Sequence, residues 1–163
     1  MNALSKSFSF AVLALLPAGL ALAQDKGCIE LKTTAQTEQV TVGADGQRVV
    51  KLVPAATVTP GTEVIWTVTA TNVCGKPAGD VAIDSPVPDH MVFIAESAIA
   101  TAFAVSYSVD GQRYATPDAL TVRAADGSTR LARPEEYRHV RYAMRAALAP
   151  GAAVTARYRT RVE

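Results

Sequence analysis

The sequence predicts an all-β protein folded as an antiparallel β-sandwich. Three observations predict it. Apolar residues recur at every second position in many short runs, which is the period of a strand with one buried face. Gly, Pro and Asp-Gly pairs punctuate those runs, as turns do. No long segment carries an apolar period of 3.6, so helices are not expected to build the core. The clearest run is Pro60 to Asn72. Val64, Trp66, Val68 and Ala70 alternate there with Thr67, Thr69 and Thr71. Pro60-Gly61 opens the run as a turn, and the sole Trp of the chain points inward, so this strand is expected to cross the middle of the core.

Residues 1–23 read as a secretory signal peptide outside the folded unit. Lys6 gives a positive start, Phe8 to Leu16 is a short apolar run, and Ala21-Leu22-Ala23 fits a small-x-small cleavage site. The run is too short for a membrane anchor, and Pro17 and Gly19 interrupt it. Residues 24–163 are then one domain, large enough to enclose a core. The chain carries 16 Lys and Arg, of which Lys6 lies in the leader, leaving 15 against 15 Asp and Glu. That balance gives no global attraction to nucleic acid. Two cysteines, Cys28 and Cys74, read in an exported chain as a disulfide rather than a metal site.

In order, Gly27 to Thr34 and Glu38 to Val42 read as two short strands. Ala44-Asp45-Gly46 is a hairpin turn, and Gln47 to Val53 returns as a strand, before the Trp66 strand. If the runs alternate up and down, Cys28 and Cys74 fall at the same end of the sheet, as a disulfide requires. Asp80 to Asp84 is the next strand, Ser85-Pro86-Val87-Pro88 a rigid turn, and Met91 to Ala95 another apolar run. Asp110-Gly111 and Asp126-Gly127 each separate two further runs, Phe103 to Val109 from Gln112 to Ala115 and Leu120 to Ala124 from Ser128 to Ala132. Arg133 to Tyr137 suits one helical turn, with Pro near its start and acids in the first turn. Val140, Tyr142, Met144 and Ala146 then alternate with charged residues, and after Ala149-Pro150-Gly151 so do Val154, Ala156, Tyr158 and Val162.

These motifs resemble the conserved-repeat surface domain known as domain of unknown function 11. The residues that carry the likeness are Pro60-Gly61, the strand ending Thr71-Asn72, the loop Gly75 to Gly79, Val81 to Asp84, Pro86 to Pro88, Met91 to Phe93, and Leu148-Ala149-Pro150-Gly151 with the strand after it. The resemblance implies an immunoglobulin-like sandwich on an exported bacterial protein, and no catalytic residues or cofactors. The hairpin before Pro60 is extra to that pattern, and the motif set occurs once rather than in tandem.

Catalytic signatures were sought without result: no Gly-x-Ser-x-Gly, no His-Glu-x-x-His, no phosphate-binding Gly loop, no Cys-x-x-Cys. Asp84, Asp89 and His90 share a Pro-rich loop and form the one candidate metal or acid–base group, with turn chemistry as the plainer reading. Asn72, the sole Asn after the leader, is a turn residue or an isopeptide partner for Lys32 or Lys51. Arg157, Arg159 and Arg161 alternate on the last strand, and Arg141 and Arg145 have one parity on the strand before it. Paired as a hairpin, those strands would put five guanidinium groups on one face, either for an anionic glycan, lipid head group or acidic protein, or as a solvated face balanced by carboxylates. The functional expectation is an exported, non-enzymatic binding or assembly module of the envelope, with no nucleic-acid partner and no membrane span. The alternatives are a chaperone-like accessory factor using an open strand edge, or a metal-dependent site at Asp84–His90.

Overall fold

The Trp66 strand is the centre of the larger of two sheets. The structure, a computed structural model, describes residues 27–163, so the expected signal peptide, residues 1–23, lies outside the described residues. Ten strands follow in order: β1 Ile29–Val42, β2 Arg48–Pro54, β3 Glu63–Asn72, β4 Ala82–Pro86, β5 Met91–Phe93, β6 Phe103–Ser108, β7 Thr121–Arg123, β8 Thr129–Leu131, β9 His139–Met144 and β10 Ala153–Val162. A 3-10 turn covers Pro134–Glu136, as the Pro-Glu-Glu sequence predicts. The large sheet runs β2-β1-β3-β10-β5 and the small one β4-β9-β6; β7 and β8 form a separate hairpin around Asp126-Gly127. All pairings are antiparallel.

The core lies between the two sheets. The large sheet contributes Val68, Ala70, Phe93, Ala156 and Tyr158, and the small one Ile83, Phe103, Tyr107, Val140 and Tyr142. Alternation therefore sorted the faces of β3, β9 and β10 as the sequence predicts. Buried aromatic hydroxyls are satisfied: Tyr142 donates to the Arg157 carbonyl and Tyr158 to the Pro86 carbonyl. Burial raises both phenol pKa values above the ordinary range.

Two corrections concern the strands. Gly27–Thr34 and Glu38–Val42 are not separate: β1 is one strand of 14 residues that changes partner midway. Its first half pairs with β3 from Ile29↔Asn72 to Gln36↔Ile65. Its second half pairs with β2 from Gln36↔Pro54 to Val42↔Arg48. The polar run Thr33-Thr34-Ala35-Gln36-Thr37 has no alternation because it serves the crossover, where neither face is fully covered. Second, Ser85-Pro86 is not a turn but the end of β4. Val87 N–H donates to Arg138 and Met144 N–H to Val81, so odd residues of β4 bond to β9. Pro86 and Pro88 therefore stand where an N–H would face outward. Their rings remove the donors at that end of the edge, while Ala82 and Asp84 keep outward N–H groups.

The first pairing of β1 with β3 sets Cys28 beside Cys74, with Cα atoms 5.1 Å apart, and the two are disulfide-bonded. Asn72 is fully buried at this end and acts as the turn residue the sequence suggests, not as a cross-link. Its amide donates to the Lys76 and Leu148 carbonyls and its Oδ1 accepts from Cys74 N–H. Lys32 leaves the opposite face of the sheet, since it has the other parity on β1.

The chain-entropy treatment assigns a 46-residue separation about 4 kcal/mol of stabilisation. Replacing both Cys28 and Cys74 with Ser is expected to lower the unfolding free energy by about that amount in urea; an unchanged midpoint would contradict the staple. Acid should act on two carboxylates. Asp110 is held at about 2, first by Arg113 and Gln112 backbone N–H groups and then by the Ser108 hydroxyl. Glu136 is also held at about 2, first by Arg130 and then by the Arg133 N–H. Both values are depressed, so their contribution is present at neutral pH and lost as pH falls from about 4 to about 2. Asp110→Asn should lower the melting temperature at pH 7 and flatten its fall across that acid window; a fall as steep as in the parent chain would refute the assignment.

Candidate interaction surfaces

The five arginines do not share a face. β9 is the middle strand of the small sheet and β10 lies between β3 and β5 in the large one. The Ala149-Pro150-Gly151 turn thus carries the chain across the sandwich, not to a neighbouring strand. Arg157, Arg159 and Arg161 leave the outer face of the large sheet; Arg141 leaves the outer face of the small one. Most are engaged. Arg159 contacts Glu38 at 2.7 Å and Glu63 at 3.5 Å. Arg141 meets Asp84 at 2.6 Å. Arg157 Nε donates to Thr67 Oγ1 at 3.3 Å and Arg145 Nε to the Phe103 carbonyl at 3.1 Å. Arg141 and Arg159 are thus balanced by carboxylates, and the single five-arginine face is replaced by separate groups on the two sheets.

Asp84, Asp89 and His90 do not converge either. Asp84 is turned to Arg141, and His90 sits in a left-handed turn at φ 60°. Among the described residues, no group of three or more His, Cys, Asp or Glu is placed to hold a metal ion. What assembles around Asp84 is a cover on the small sheet. The loop after β6 closes by two bonds between Tyr107 and Ala115, lays Tyr114 over the Arg141 guanidinium at 3.5 Å, and sets Gly111 on His139. A Cβ at Gly111 would stand 2.8 Å from His139 Nε2 at φ +74°, so only glycine closes the loop. His139 is accordingly half-buried. Arg141 Nε is buried without a partner.

A shallow cleft of about 240 Å³ opens between β1 and β4, where the small sheet stops short of the large one. Leu31, Trp66, Ile83, Pro86 and Tyr158 line it. Its aromatic polar atoms are already used, Trp66 Nε1 by Thr160 and Tyr158 Oη by Pro86. Its lining is mostly apolar, with Thr33, Asp84 and Ser85 as its polar members.

The remaining surface is the arm formed by residues 36–54. Beyond Gln36 the β1–β2 hairpin has left β3, and both its edges and both its faces are open. Val40, Val42, Val50 and Leu52 share one face, because Val40 pairs with Val50 and Val42 with Arg48. This site was legible as alternation in both strands, yet its exposure was not, since alternation cannot say whether a face is covered. At the base of the arm, Arg159 grips Glu38, and Glu38, Val40 and Arg159 surround Ile65, which is buried on the otherwise polar face of β3.

No family model, curated protein or solved structure matches this chain.

Arg159 links the arm to the sheet through half-exposed pairs. Arg159→Met is expected to speed amide exchange at Thr37 and Gln39 while changing global stability by less than about 1 kcal/mol. Unaltered exchange in the arm would contradict its anchoring by Glu38.

Proposed function

We propose that this chain is an exported, non-enzymatic binding and assembly module of a bacterial envelope, and that its partner is a protein. One observation carries the reading: the arm projects beyond the sandwich with an unpaired strand edge and uncovered apolar side chains. Exposed flat edges with apolar side chains are templates for strand addition. The disulfide supports export, because such bonds persist in oxidising compartments. No helix among the described residues is long and apolar enough to cross a membrane. The kinship with the conserved-repeat surface domain, and with it the immunoglobulin-like topology, rests on the turn and core motifs from Pro60 to Val162.

A glycan or lipid partner is the weaker reading, since Arg141 and Arg159 already have carboxylate partners. A chaperone-like factor remains a second reading, favoured by the same open edge.

A photo-crosslinking side chain at Val42 should give protein adducts in the periplasm of expressing cells. One at Ala125, on the tip between β7 and β8, should give none. Equal labelling at both positions would contradict the arm as the binding element. Salt-dependent retention on immobilised lipopolysaccharide that disappears in the Arg157, Arg159 and Arg161→Ala variant would favour the anionic partner instead.

A further inference from the structure

The arm carries a stronger statement about its partner, resting on the reading just given. We propose that β2 is a dimerisation edge, pairing antiparallel with β2 of a second copy about a two-fold axis at Val50. The two hairpins then form a four-stranded sheet, β1-β2-β2-β1, continuous with the large sheet of each copy.

The backbone sets which atoms are on offer. Gly43 N–H donates to the Gln47 carbonyl, and Ala55 N–H to the Ala35 carbonyl. Odd residues of β2 therefore bond to β1, and Arg48, Val50 and Leu52 direct N–H and C=O outward. In the Val50↔Val50 register, Val50 exchanges two bonds with its copy and Arg48 exchanges two with Leu52 at each end. All six outward groups are satisfied.

The side chains select that register. Placing Arg48 opposite its copy, or Lys51 opposite its copy, sets like charges face to face. Centring the pair on Leu52 puts Pro54, which has no N–H, opposite Val50. Centring it on Val49 pairs only three residues of β2. About Val50, Arg48 faces Leu52 and Lys51 faces Val49, so five residues pair with no opposed like charges. An isologous contact needs such self-complementarity.

Lateral contact between apolar side chains adds to the backbone bonds. Val40 is 45% exposed, Val42 70%, Val50 54% and Leu52 40%. A two-stranded hairpin is marginal in water, and a sheet of four strands is not. Association sets Val40, Val50 and their copies in one apolar row across the four strands, with Leu52 beside it between Glu38 and the copy's Arg48. Pro54 closes the base of the β2 edge, and Arg48, Val50 and Leu52 remain free to pair.

Sedimentation equilibrium of the oxidised, leader-free chain tests this. A concentration-dependent monomer–dimer equilibrium is expected. Val50→Pro should abolish the dimer and leave the monomer's circular dichroism intact, because that N–H takes no part in the β1–β2 ladder. Leu52→Glu and Leu52→Lys lose similar apolar surface but place opposite charges before Arg48 of the copy. The Glu variant should dimerise about tenfold more tightly than the Lys variant. Val50→Cys should oxidise to a covalent dimer, since directly opposed residues of a hydrogen-bonded pair stand about 5.5 Å apart at Cα. A monomer at every concentration, or equal dimer affinity for the Glu and Lys variants, overturns the proposal. If the chain is monomeric while Val42 still crosslinks a different protein in cells, the dimer falls and the binding-module reading stands.

Discussion

Every later feature follows from the register in which β1 meets β3. With Ile29 opposite Asn72, eight residues of β1 lie along β3 and the remainder overhang its start. That one alignment puts Cys28 against Cys74 and leaves β2 with no neighbour except the overhang. A slip of one residue would turn Ile29 and Leu31 to the opposite face and separate the sulfurs. The disulfide at one end and the Arg159–Glu38 pair at the other hold the alignment. The covalent bond carries more of that task, since an exposed ion pair adds little.

The two ends of the sandwich are built by opposite rules. At the disulfide end, polar groups are buried and fully satisfied, as Asn72 shows with three hydrogen bonds. At the arm end, apolar groups are exposed and backbone groups unpaired. An open strand edge beside exposed apolar side chains is the contrast with the disulfide end on which the functional reading rests.

Much of this was legible in the sequence, and the unread parts share a cause. The faces of β3, β9 and β10 followed from period-two alternation, the β1–β2 and β7–β8 turns from Asp-Gly, and the cysteine pair from export and spacing. Alternation reports which side a residue leaves, not which strand lies beside it. Hence the arginines of β9 and β10 were grouped on one face although their strands belong to different sheets. The same blindness hid β1, whose polar middle looked like a break and is a change of partner. Pro86 read as a turn because proline cannot donate, and on an edge strand that same incapacity is what fits it. Ile65, on the polar side of β3, is buried by the arm base, a contact between segments that no local pattern contains.

Residue-resolved amide exchange along β1, at a dilution that keeps the protein monomeric, tests this register most directly. Cys28 accepts from Val73 and Ala35 from Ala55, so even residues bond to β3 and odd residues to β2. Glu30, Lys32 and Thr34 should exchange slowly before Gln36, and Thr37, Gln39 and Thr41 after it, with Leu31, Thr33, Val40 and Val42 fast. Protection that keeps one parity from Ile29 to Val42, or that vanishes between Thr33 and Thr37, would contradict a single strand changing partners at Gln36.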